Sequence, residues 1–180
     1  MAAFHLLGIS GSLRRAAPNR TLVHEAARLS GADVFVEADL NLPLYDGDLE
    51  AAEGQPEAAK RLVQKIAEAD AIVISTPEYN KGPSGVLKNA LDWVSRSKPV
   101  PWQDKPVAVM SAAAGRAGGE RAQMILRSFL VPFQPRVISG PELHLAQSGD
   151  QFDENGHLTS DLYRDTLQRL MDRLRAEASR

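Results

Sequence analysis

The sequence of 180 residues contains no cysteine, so disulfides, thiol nucleophiles and thiolate metal sites are excluded outright. Any redox chemistry must therefore be borrowed from a cofactor. Aromatic residues make up only 6% of the chain, and its two tryptophans, Trp93 and Trp102, read as core or interface residues rather than stacking platforms. A charge excess of either sign is also missing, because 21 Lys and Arg against 23 Asp and Glu leave a formal charge of -2. That balance announces neither nucleic acid nor a membrane surface as partner. No apolar run approaches a membrane span, and Met1 to Ile9 lacks both the basic start and the length of a signal peptide, so a cytoplasmic protein is expected. The histidines, His5, His24, His144 and His157, are scattered without helical pairing or a carboxylate pattern, and no metal centre is expected.

The chain does hold an alternation of two hydrophobic periods. Ala71-Ile72-Val73-Ile74-Ser75 is a β-capable run without a charge, as expected of a strand buried on both faces at the centre of a parallel sheet. Behind it, Val86, Leu87, Ala90, Leu91 and Val94 recur at helical spacing. The same reading gives strands at Phe4 to Ile9, Asp33 to Glu37, Val107 to Ser111 and Arg136 to Ser139. Helices are expected from an N-cap at Asn19 to Leu29, over Pro56 to Ala69, around Ala122 to Phe129 and over Leu162 to Leu174. Asp39 to Gly54 reads as a surface connection and Gln147 to Gly156 as a mobile polar loop. Alternating strands and helices without a repeat or linker predict one α/β domain over residues 1–180, a five-stranded parallel sheet of order 2-1-3-4-5 with helices on both faces.

In that order the loops after the first, third and fourth strands converge on the switch-point crevice where α/β sheets bind ligands. The first, Ser10 to Asn19, supplies Ser12, Arg14 and Arg15 beside a helix N-terminus, which suits a phosphate dianion. It also reads as an ordinary capped helix with exposed arginines, and it matches neither the P-loop nor the dinucleotide fingerprint. The second, Thr76 to Gly82, offers Glu78, Tyr79 and Asn80, either as acid and base or as residues that close a turn over the sheet. The third, Ser111 to Gly119, is rich in small residues and either admits a planar ligand against its amides or is a plain glycine-rich turn.

Gly11-Ser12-Leu13-Arg14-Arg15-Ala16-Ala17-Pro18-Asn19, Thr76-Pro77-Glu78-Tyr79-Asn80 and Leu87-Lys88-Asn89-Ala90-Leu91-Asp92-Trp93 resemble the motifs of the NADPH-dependent FMN reductase family, flavodoxin-like proteins that include bacterial quinone and chromate reductases. The resemblance implies a flavodoxin-like three-layer sandwich that binds FMN. Its phosphate would lie in the loop of Ser12, Leu13, Arg14, Ala17, Pro18 and Asn19, and its ring against Pro77, Glu78, Tyr79, Asn80, Lys81 and Gly82. The far edge of the ring would meet Ala112, Ala113 and Gly115. Ala17 stands where relatives carry a second phosphate-binding serine, a change worth about 0.5 to 1.5 kcal/mol. Ala112 and Ala113 replace frequent hydroxyl residues, so ring contacts there are expected from backbone amides.

With the flavin carrying the chemistry, no side chain is expected to be catalytic. NADPH or NADH would reduce FMN, and a small-molecule acceptor such as a quinone, chromate or flavin would reoxidise it. Arg14, Arg15, Lys81 and Arg116 could meet a 2'-phosphate. The resemblance further implies a homodimer, often paired into a tetramer, with Arg121 and Glu142 matching tetramer contacts and Met124 in place of the tyrosine partner. An electron carrier of flavodoxin type without nicotinamide turnover is the competing reading, and a flavin-free scaffold is a third.

Overall fold

The structure is a computed structural model that describes residues 3–180. Parallel pairing joins β1 (His5–Ser10), β2 (Val34–Glu37), β3 (Ala71–Thr76), β4 (Pro106–Ala112) and β5 (Arg136–Val137) in the order β2-β1-β3-β4-β5, with β6 (Leu143–Leu145) also on β4. Every residue of β3 and β4 is buried, which explains why these strands read as unbroken apolar runs. Their side chains nonetheless alternate. Leu6, Ala71, Val73, Ala108 and Met110 face one layer, while Leu7, Ile9, Ile72, Ile74, Val107 and Val109 face the other.

The first layer is closed by α1 (Pro18–Ser30) and α6 (Asp161–Ala178), through Leu22, Val23, Ala26, Leu167, Leu170 and Leu174. Gly8 makes the close approach of α1 to β1 possible, since a Cβ there would stand 2.3 Å from Val23 Cγ1. The second layer comes from α3 (Glu57–Glu68), α4 (Gly85–Val94) and α5 (Glu120–Leu130), through Leu62, Ile66, Leu87, Leu91, Leu126 and Leu130. Burying an aliphatic side chain of this kind contributes about 1.5 to 3 kcal/mol, so the two layers fix the carboxyl ends of β1, β3 and β4 side by side. Trp93 and Trp102 are fully buried, and Trp93 donates its indole N–H to the Pro43 carbonyl at 2.8 Å.

Four features differ from the sequence expectation. The segment expected to be a surface connection contains α2 (Gly47–Glu53), capped by the Asp46 carboxylate accepting from the Asp48 amide. No residue of α2 is buried, so it had no apolar stripe to reveal it. The fifth strand is split: β5 pairs with Pro106 and Val107, then β6 resumes opposite Met110 to Ala112. Pro141 has no amide for the ladder, and the intervening carbonyls of Ile138 and Gly140 accept instead from Arg127 and Arg173. The polar stretch expected to be mobile is an ordered flap, with Phe152 bridged to Leu158 and the Leu158 amide donating to the buried Glu25 carboxylate.

Finally, the N-cap of α1 is Ala17, and Asn19 lies inside the first turn. Pro18 at the first helical position starts the helix, since its missing N–H is one the helix could not use. The Asn19 side chain turns inward, 3% exposed. Its Nδ2 donates to the Ala112 carbonyl at 2.8 Å, while its Oδ1 accepts from the Ala112 amide at 3.0 Å and from the Ser75 hydroxyl at 2.7 Å. One amide thus ties α1 to β3 and β4. Asn19→Ala strands these buried groups and is expected to cost about 3 kcal/mol, lowering Tm by roughly 6 to 12 °C. A thermal melt with a shift below about 2 °C would show that the clamp is not structural.

Candidate functional site

The chain leaves β1 for β2 on one side and reaches β3 on the other, so the switch point lies between β1 and β3. Here the first loop is bound to the second. The Gly11 amide donates to the Ser75 carbonyl at 2.8 Å, and the Ser84 hydroxyl donates to the Gly11 carbonyl at 2.6 Å while accepting from the Leu87 amide at the start of α4. A Cβ on Gly11 would stand 3.0 Å from the Pro77 ring and 3.1 Å from Ser84 Oγ, so the two loops touch because this residue is glycine.

Beyond Gly11 the backbone is open. Among the described residues, the amides of Ser12, Leu13, Arg15 and Ala16 donate to no protein group. They precede an α1 N-terminus with no side-chain cap and no acidic residue in its first turn. Unpaired amides, the positive end of the helix dipole, the Ser12 hydroxyl and the exposed Arg14 form a donor set suited to a phosphate dianion. Ser10 Oγ, buried and unpartnered among the described residues, lies beneath the same loop. Three expected residues contribute differently. Ala17 gives its amide to the Arg14 carbonyl, Pro18 has none, and the Asn19 side chain is engaged in the clamp, so these three shape the loop and leave only the Asn19 backbone amide without a partner among the described residues.

The second loop is a preformed hairpin. Tyr79 and Gly82 exchange both backbone hydrogen bonds, at 2.9 and 3.1 Å, around Asn80 and Lys81 with φ of 51° and 67°. Two successive left-handed residues make a type I′ turn, for which asparagine is well suited and lysine is not. The ring of Tyr79 is left half exposed. Glu78 is mostly buried and turns toward α5, where Oε2 accepts from the Ala122 amide at 3.3 Å and Oε1 lies 3.7 Å from Arg121. This carboxylate complements the α5 dipole and pins the hairpin to the start of α5.

At the third loop the expected donors Ala112 and Ala113 are already engaged. Ala112 is held on both backbone atoms by Asn19, and the Ala113 amide donates to the Leu145 carbonyl of β6. The open amides are instead those of Ala114 to Ala117, Gly115 among them, on an exposed arc. Gly118 and Gly119 turn the chain with φ of 58° and 92°, and a Cβ on Gly118 would stand 2.5 Å from the His144 backbone. Beneath the arc, the Ser111 hydroxyl donates to the Gly118 carbonyl at 2.6 Å, and Gln123 Nε2 reaches Ser111 Oγ and the Leu143 carbonyl. Sequence reasoning passed over Ser75, Ser84, Ser111 and Gln123. Gln123 carried a signal, a polar residue between the apolar positions Ala122 and Ile125.

Comparison with known proteins identifies the family. The family model described as NADPH-dependent FMN reductase matches residues 4–150. The chain is 40% identical to an NAD(P)H-dependent FMN reductase of Pseudomonas aeruginosa, covering 94% of this chain and 92% of that one. It is 38% identical to a 2-hydroxy-1,4-benzoquinone reductase of a Burkholderia species, covering 97% and 96%. Among solved structures, FerB of Paracoccus denitrificans, a flavoenzyme NAD(P)H:(acceptor) oxidoreductase, superposes with a TM-score of 0.87 at 29% identity, covering 98% of this chain and 97% of that one. The chain therefore belongs to the NADPH-dependent FMN reductase family and is an oxidoreductase, with FMN as cofactor and NAD(P)H as co-substrate.

Proposed function

We propose that this enzyme is an NAD(P)H-dependent quinone reductase, with its flavin in the crevice between the loops after β1, β3 and β4. The observation that carries the reading is the set of unpaired amides of Ser12, Leu13, Arg15 and Ala16 before the uncapped start of α1, facing a hairpin that is already closed. FMN supplies hydride acceptance and two-electron release at its ring. The chain's residues then need only hold and orient. Ser12, Leu13 and Arg14 take the phosphate, with Ala17, Pro18 and Asn19 setting the shape of its loop. Pro77 and the Glu78 to Gly82 hairpin form a wall for the ring, and Glu78 acts through α5 rather than as a proton donor. Ala114 to Ala117, Gly115 among them, offer amides to the polar edge of the ring, beside Ala112 and Ala113.

The acceptor is a small molecule, for which the quinone named in the Burkholderia relative is the first candidate and chromate or free flavin are others. Among the described residues no helix is long and apolar enough to cross a membrane, and we read the protein as cytoplasmic. The exposed Leu13, Tyr79, Met124 and Val131 are apolar surface of the kind covered in homodimers, with Arg121 and Glu142 available for a further pairing to a tetramer.

Anaerobic mixing of the FMN-loaded protein with NADPH or NADH is expected to bleach the visible flavin band, and benzoquinone to restore it. A bound flavin that stays yellow with both nicotinamides would make the protein an electron carrier, and failure to retain FMN would remove the phosphate assignment. Ala17→Ser is expected to tighten FMN binding by a few-fold to about tenfold, from one added hydrogen bond. Fluorescence titration checks this. An unchanged Kd with a raised Tm would mean that the hydroxyl caps α1 instead.

A further inference from the structure

A cleft of about 540 Å3 begins at Arg15 in the first loop and runs along the outer face of α1 beneath the flap. Arg20, His24 and Arg28 line one wall, and Asn155 and His157 of the flap line the other. In a chain of net charge -2, three arginines and two histidines thus share one concave surface. Acids behind the wall orient them. Glu37 holds Arg20 at 2.7 Å and His24 at 2.9 Å, and Asp153 lies 3.7 Å from His157. Glu25, the one acidic residue lining the cleft among the described residues, has a fully buried side chain that engages Arg28 at 2.7 Å. That pairing raises the Arg28 pKa above its ordinary value. A guanidinium held on one side by a carboxylate keeps further N–H donors for another ligand. Among the described residues, the side chains of Arg15 and Asn155 make no hydrogen bond or ion pair.

The flap that forms the second wall is fixed. Asp153 accepts from the amides of Asn155 and His157, which holds its carboxyl below the ordinary range, and the Leu158 amide docks on Glu25. The cleft is therefore walled on two sides, with a size in the range of small-molecule sites, roughly 300 to 1,000 Å3. Guanidinium forks match phosphate oxygens, and an asparagine amide can pair with the edge of an adenine.

We propose that this cleft binds an adenosine monophosphate group, the adenylate arm of a dinucleotide whose other half occupies the crevice. The phosphate meets Arg15 and Arg20, and the base lies toward Asn155. The location of that other half rests on the function proposed above, whereas occupancy of the cleft does not. Two dinucleotides carry this arm, NAD(P)H and FAD. Continuity of the cleft with the loop at Arg15 gives either a route from one site to the other.

Calorimetric titration of AMP into the purified protein, with and without FMN, tests the cleft, with adenosine as the control lacking phosphate. AMP is expected to bind at least about tenfold more tightly than adenosine, and Arg15→Glu to remove most of that preference. Asn155→Trp, which fills the cleft from an exposed position, should abolish AMP binding with the circular dichroism unchanged. The same variant separates the sources. If the arm is that of NAD(P)H, KM for NADH rises and KM for reduced nicotinamide mononucleotide does not. If it is that of FAD, the affinity for FAD falls relative to FMN. AMP bound no better than adenosine, AMP binding unchanged in both variants, or AMP binding with neither source affected would overturn the proposal. Loss of FMN binding alone would overturn the crevice assignment and leave the AMP result standing.

Discussion

The hydrogen bonds of one buried amide hold the working end of this molecule together. Parallel strands released at their carboxyl ends have no ladder beyond the last pair, and three loops that must form one surface would otherwise move separately. Asn19 reaches from the first turn of α1 to the Ser75 hydroxyl and to both backbone groups of Ala112. The remaining links follow from that closure. Ser75 also receives Gly11 through its carbonyl, Ser84 ties Gly11 to α4, and Glu78 ties the hairpin to α5. Each bond alone contributes about 1 kcal/mol, whereas a stranded buried partner costs more. The network therefore tolerates the loss of a member poorly, and it fixes loop positions that packing alone would leave soft.

That arrangement explains which parts of the molecule were legible in the sequence. The strands and helices that bury a face announce themselves through periodicity, as Ala71 to Ser75 and Val86 to Val94 do. Elements held by polar contacts do not. Helix α2 buries nothing and is fixed by the Asp46 cap, and β6 is a three-residue strand behind Pro141. The flap at 151–159 has a loop's composition, yet a buried glutamate on α1, far away in sequence, anchors it. Such pairings depend on which side chains meet in space, and no local pattern records them.

The site shows the same division at the level of single residues. The expected strand order, β2-β1-β3-β4-β5 in the structure, brings the three loops to one end of the sheet, and the motifs fall on those loops. They could not show which atoms remain available. Asn19 reads as a polar group beside a phosphate and proves to be spent inside, while Ala112 and Ala113 read as open backbone and are paired. Hydrogen-bond supply is a property of the folded chain. The donors left over, the amides of Ser12, Leu13, Arg15 and Ala16 and those of Ala114 to Ala117, are ones that no neighbouring strand, helix or side chain reaches among the described residues.

The turns beside these open donors adopt left-handed backbone. Lys81 adopts a left-handed backbone that a glycine would accept at less cost, and Gly118 and Gly119 turn where any side chain would collide. Strain of this kind persists only where surrounding contacts over-determine it. Here those contacts are the Tyr79–Gly82 bridge, the Glu78 link to α5 and the Gln123–Ser111 pair under the third loop. A surface shaped in advance loses little conformational entropy when a flat ligand settles on it. In the proposed placement, the rigidity of the walls, rather than side chains reaching over the ring, would do the positioning. In the placement proposed above, walls of this kind would leave one face of the flavin open to an acceptor.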